Sequence, residues 1–236
     1  YLHRGCAYSI LKILEEGVEP LEIEFGPWPE EYGLSRREIG HKALSSFKWS
    51  RWFLHLVCNG EIDRPCPDED KVITPAQLLE VLSSATVNGV PVLSPEPEVK
   101  VERSADLGEG WLSPLVLSIL LLIATVFFSL KKKHFIDYLL LAIQTLLGLI
   151  TVYLVFFSNL VCTEWSWLII PFNPLPLIFW KWRRYWCLPY AIILLLWSAF
   201  MAFWPHLLTD SAYIITASCL SISYIDQYHS KSDEKQ

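Results

Sequence analysis

The sequence predicts a mainly α, polytopic membrane protein: five transmembrane segments, one broken by prolines, after a partial, mostly helical extracytoplasmic α+β domain. Three observations predict it. The 236 residues are 53% hydrophobic and only 19% charged, with 11 Trp, and the mean hydropathy is +0.33. Charge is uneven: residues 1–110 carry 19 Asp/Glu against 11 Lys/Arg, whereas residues 111–236 carry 6 against 8. The second half holds charge-poor runs near the ~20 residues that a bilayer core demands. A disordered chain is excluded, because such chains are poor in apolar and aromatic residues. Nucleic acid is excluded as a partner of the acidic half, since phosphate binding needs a basic face. A soluble helical core would be amphipathic rather than apolar all round.

The elements follow in chain order. Ala7–Glu16 reads as a short helix with Ile10, Leu11, Ile13 and Leu14 on its apolar side, and Gly17–Gly33 as a Pro/Glu-rich loop. Ser35-Arg36-Arg37-Glu38 is a capping box that opens a helix through about Phe47. An aromatic-rich helical segment, Trp49–Val57, comes next, and then turn chemistry from Asn59 to Lys71. Thr74-Pro75-Ala76-Gln77 combines a cap, a proline at the first helical position and a Gln three residues on, starting a helix to about Ser84. Residues 90–105 look extended. The domain is expected over residues 1–94, with a linker over 95–110, the membrane bundle over 111–225 and a tail over 226–236.

Trp111–Leu130 is the first span, stopped by Lys131-Lys132-Lys133-His134, and Phe135–Phe157 is the second, with Asp137 and Gln144 inside. Trp165–Trp180 is the third. Pro171, Pro174 and Pro176 forbid a regular helix there, since each proline removes an amide donor and crowds the preceding turn. Cys187–Trp204 is the fourth span and Ala212–Ile225 the fifth and least apolar. Lys131–Lys133, Lys181/Arg183/Arg184 and Lys231/Lys235 all fall on one face, which the positive-inside rule makes cytoplasmic. Residues 1–110 are then extracytoplasmic and the tail cytoplasmic. The only methionine is Met201, so Tyr1 is not a translation start and the chain is expected to be a piece of a longer protein.

Candidate chemistry is sparse. The six cysteines show no zinc spacing, so no metal site is expected, and no cofactor is implied. Cys58 and Cys66 flank a turn on the oxidising side; a disulfide and two separate thiols are equally compatible with that. Cys6 follows Gly5 at the start of the first helix, where unpaired amides and the helix dipole favour the nucleophilic thiolate. His3, His41 and His55 are not placed beside it by sequence. Asn173 and Pro174 mark a polar break at membrane depth, suited either to lining a cavity or to capping broken backbone.

These residues resemble the Bacteroidetes lipoprotein N-acyltransferase family called Lnb, over nearly the whole chain. Gly5-Cys6-Ala7 before a helix is similar to the family's Asn-Cys-Ala segment, with Gly5 where Asn is usual. Trp52 to Gly60 and Asp63 resembles its W…G…D stretch, and Pro75…Leu78-Leu79 its P..L…L helix. Ile136-Asp137 to Phe157-Ser158, Trp167–Ile170 and Phe172-Asn173-Pro174-Leu175 resemble its membrane signature. The resemblance implies a permuted papain-like fold of the lecithin–retinol acyltransferase type, set on a five-helix membrane domain in the bacterial inner membrane. It also implies Cys6 as the nucleophile and a histidine upstream of Tyr1, in a Tyr-Gly-His segment, as its base. A phospholipid would be the acyl donor and a lipoprotein the acceptor. A membrane-anchored cysteine peptidase or amidase, and a non-catalytic anchor that binds partners, are the rival expectations.

Overall fold

A computed structural model describes residues 6–17, 23–25, 34–58, 60–64, 72–93, 111–159, 163, 166–203 and 210–233. The chain divides into two compact units, residues 1–43 with 62–107, and residues 44–61 with 108–236. The second of these takes in the aromatic helix of the first half together with the apolar segments.

In the first unit, α1 (Cys6–Gly17) packs against α4 (Pro75–Ser83). Ala7 and Leu11 bury their side chains with Val72, Val81 and Leu82, and Phe25, Leu78, Val92 and Leu93 close around them. α2 (Arg36–Ala43) comes between them in chain order and is shorter than the helix expected through about Phe47. It opens as expected: the Ser35 amide donates to Glu38 Oε2 at 2.8 Å, and the Glu38 amide donates to Ser35 Oγ at 3.2 Å. The same reciprocal cap starts α4, with Gln77 N donating to Thr74 Oγ1 at 3.2 Å and Thr74 N to Gln77 Oε1 at 3.0 Å. A three-stranded antiparallel ribbon joins β1 (Ile23–Glu24), β2 (Thr86–Val87) and β3 (Val90–Pro91). Ile23 pairs with Val87 and Val87 with Val90. The two-residue turn is Asn88-Gly89, both at positive φ (52° and 79°), the conformation that a tight hairpin requires. β1 falls in a stretch read as loop. Of the stretch read as extended, only Val90–Leu93 lies within the described residues.

The second unit holds α3 (Lys48–Val57), α5 (Pro114–Leu130), α6 (Phe135–Phe157), the short α7 (Leu175–Ile178), α8 (Arg183–Phe203) and α9 (Ser211–Asp233). α5 begins at Pro114 rather than Trp111, because Ser113 caps it, accepting from Val116 N at 3.3 Å. Among the described residues, two helices are long and apolar enough to cross a membrane, Phe135–Phe157 and Trp180–Phe203, and Pro114–Leu130 is apolar but shorter. The fifth segment does not stop at Ile225; the helix continues to Asp233 through a polar stretch that a hydropathy window does not register. α9 packs against α5, α6 and α8. Its Ala217, Cys219, Leu220 and Ser221 are almost wholly buried. A central helix meets protein on most sides, so small and polar residues suit it, and this is why it reads as the weakest span.

Candidate functional site

Cys6 is the first residue of α1, exposed and with a free thiol. The helix is held by Ala7 and Leu11 on its inner face. Cys6 is therefore fixed through its neighbours while its sulfur stays accessible. His3 lies outside the described residues, His41 is half-buried on α2, and His55 is buried on α3 in the other unit. Cys58 is buried, and Cys66 lies outside the described residues, as does the pairing between them. Within the first unit, the buried Arg37 guanidinium grips the Asp63 carboxylate with two donors, Nε on Oδ1 and a second nitrogen on Oδ2 at 3.2 Å. This fork joins α2 to the end of the 3-10 turn Gly60–Asp63, a pairing that the sequence does not mark out.

The second concentration of polar groups surrounds the prolines. The chain makes a 3-10 turn at Trp167–Ile169, bends through Pro171–Pro174, and recovers one helical turn in α7. The bend frees carbonyls that no helix can satisfy. Asn173 Nδ2 donates to the carbonyls of Ile169 (3.3 Å) and Ile170 (3.0 Å) and to the Tyr190 hydroxyl (2.8 Å), while Asn173 Oδ1 accepts from Leu175 N at 3.1 Å. Tyr190 donates to the Ile170 carbonyl at 2.7 Å. From α6, Gln144 Nε2 donates to the Pro171 carbonyl at 2.8 Å and to the Tyr190 oxygen at 3.0 Å, and its own oxygen accepts from the Tyr224 hydroxyl. Gly148 admits the bend: a Cβ there would stand 2.6–2.8 Å from Asn173 backbone atoms. Asn173 thus caps broken backbone. The signal for Gln144 was readable, since a lone amide in an apolar helix must face protein; the two tyrosines carried none.

At the other end of α6, His134 Nδ1 lies 2.9 Å from Asp137 Oδ2, and Ser223 donates to Asp137 Oδ1 at 2.5 Å. Asp226 joins them, the three residues bringing ligand atoms within 4.8 Å of one another. Asp137 is already engaged from two sides, so the group has the character of a helix-start cluster tying α6 to α9.

A family model described as the Lnb transmembrane domain matches residues 106–234 of this chain. No curated protein and no solved structure matches it.

Proposed function

Because the chain belongs to the Lnb transmembrane-domain family, we propose that it forms the membrane-anchored part of a thiol-dependent lipoprotein N-acyltransferase. The observation that carries this reading is an exposed free thiol at the first position of a helix, on a chain that continues into a membrane domain. In the proposed reaction the Cys6 sulfur attacks an ester carbonyl carbon of a phospholipid. The carbon–oxygen ester bond breaks, and the lysophospholipid oxygen leaves with the proton taken from the thiol. The α-amine of a lipoprotein's lipidated N-terminal cysteine then attacks the thioester carbon. The carbon–sulfur bond breaks, the sulfur recovers a proton, and the amine becomes an amide. The proton traffic needs a base; the family resemblance assigns it to the histidine upstream of Tyr1.

The proposal includes five crossings: α5, α6, the broken segment, α8 and α9. Two contacts far apart along the bundle support a crossing by the broken segment. Trp197 Nε1 on α8 donates to the Trp167 carbonyl at 3.0 Å, and Trp180 lies 6.1 Å from Tyr138 near the start of α6. Its length is thus accommodated without a continuous helix, its backbone groups being satisfied by neighbours, as the bilayer interior demands. With the basic loops cytoplasmic, Cys6 sits on the outer side of the inner membrane, where both lipid substrates are in reach.

The test uses cells whose only copy of the full-length protein carries Cys6→Ser. An alcohol is a far weaker nucleophile than a thiolate. Mass spectrometry of lipoprotein N-termini should then show free amines where the parent strain shows amides. Fully acylated N-termini in those cells would remove Cys6 from the reaction and favour the non-catalytic anchor.

A further inference from the structure

α3 packs against the first turns of α5 and α9, and a cavity of about 280 Å³ remains between these helices and α6. α3 is tied there by three bonds. Arg51 pairs with Asp210 at 3.8 Å, Tyr213 Oη donates to the Trp52 carbonyl at 2.9 Å, and Trp49 Nε1 donates to the Leu112 carbonyl at 2.8 Å. The Trp52 ring stacks on Tyr213 with centroids 5.0 Å apart. Leu117, Leu121, Ile143 and Leu147 supply much of the remaining wall. Leu117 is 38% exposed and Trp49 40%, so the cavity opens outward.

The chemistry of the wall selects the occupant. Its hydroxyl donors are committed within the protein: Ser118 Oγ to the Leu115 carbonyl at 2.8 Å, Thr216 Oγ1 to the Ala212 carbonyl at 2.7 Å, and Tyr213 Oη as above. What faces the space is mostly methyl, methylene and ring carbon. Water, which needs two to four polar partners, is poorly served there. The volume is about twice the ~150 Å³ apolar cavity that accepts one benzene ring, which makes room for about a dozen carbon atoms. Beyond its mouth, α5 presents Leu120, Ile123 and Phe127 as exposed apolar side chains. In a membrane domain that surface touches lipid tails, so the cavity is continuous with the acyl layer.

We infer that this cavity holds one acyl tail of a bilayer phospholipid, clamped by the Trp52–Tyr213 stack. The inference rests on the membrane placement in the proposed function and not on the chemistry at Cys6. Apolar transfer contributes nothing to retention, because surrounding tails are equally apolar; packing against the aromatic wall supplies it. The occupant is a tail rather than a headgroup, since among the described residues the wall has no charged side chain to meet a phosphate.

The experiment places the full-length protein in nanodiscs of phosphatidylethanolamine bearing a diazirine midway along one acyl chain. After photolysis, the labelled peptides are mapped by mass spectrometry. Adducts should concentrate on peptides carrying Trp52, Leu117 and Tyr213, about tenfold over the α8 peptide carrying the exposed Leu196; that ratio corresponds to about 1.4 kcal/mol of retention. Thr216→Phe, which fills the space, should erase this excess and leave α8 labelling unchanged. If Thr216→Phe disturbs the bundle, seen as loss of a monodisperse species, Ser118→Leu serves as the second filler with the same expected result. Equal labelling of the α3 and α8 peptides overturns the inference, as do protein–protein adducts that seat a second copy there. Cys6→Ala should keep the excess. Labelling lost while N-acylation persists removes the cavity's role alone, and labelling kept while N-acylation also persists in Cys6→Ala removes the thiol's role alone.

Discussion

The broken segment around Asn173 and the start of α1 at Cys6 are both polar features attached to apolar scaffolds, yet they are built in opposite ways. Around Asn173 the amides and hydroxyls of four residues turn inward onto one another and onto carbonyls released by the prolines. Cys6 projects an exposed thiol from a helix whose next residue is buried. The first arrangement consumes its polar groups to keep irregular backbone compatible with a membrane interior. The second leaves a thiol exposed. A polar residue at membrane depth is by default a functional hypothesis, but here the bonds around it account for it structurally, and the nucleophile proposed above lies elsewhere.

Substitutions break or sharpen this contrast, and the largest effect is expected at Cys6. In the full-length protein, Cys6→Ala should abolish N-acylation and leave the unfolding midpoint within about 0.5 kcal/mol of the parent, as for an exposed position away from packing features. Gly148→Ala should do the reverse. Its new methyl meets the Asn173 backbone at 2.6–2.8 Å, and overpacking of that kind costs about 1–3 kcal/mol. Denaturation in mixed detergent would read this as a lower midpoint. Gln144→Leu strands the Tyr224 hydroxyl and leaves the Pro171 carbonyl without its amide donor, a loss of about 1–2 kcal/mol by the same measurement. In the first unit, Thr74→Ala removes one half of a reciprocal cap and should cost about 1 kcal/mol. Tyr190→Phe is the mildest, about 0.6 kcal/mol, the average for an interhelical hydrogen bond in a bilayer. If Tyr190→Phe instead removed activity without loss of stability, the membrane cluster would be chemical rather than structural and the contrast would fail.

Local signals were legible where a few neighbouring residues decide the outcome. The reciprocal caps at Ser35/Glu38 and Thr74/Gln77 form as read, because both partners lie within one helical turn. The second apolar segment, Phe135–Phe157, appears with the bounds its composition gives. The Asn88-Gly89 hairpin is equally local, and its dipeptide is a strong turn signal. What could not be read is partnership at long range. α3 has an aromatic side that fits any apolar surface, and its fastening to α9 runs between Trp52 and Tyr213, 161 residues apart. The same limit hid Arg37–Asp63 and the tyrosines of the broken segment, whose roles depend on which helix comes alongside. α9 was underrated for a related reason: hydropathy measures fitness for lipid, and this helix is surrounded largely by protein.

The central claim is that Cys6 carries the acyl group. It is tested most directly by incubating the full-length protein with a phospholipid of isotopically heavy acyl chains, without acceptor, and locating the adduct by mass spectrometry. The account predicts one heavy acyl chain on the peptide that contains Cys6, removed by neutral hydroxylamine as a thioester is and absent in Cys6→Ala. A heavy acyl chain on another residue, or one that persists in Cys6→Ala, would contradict it.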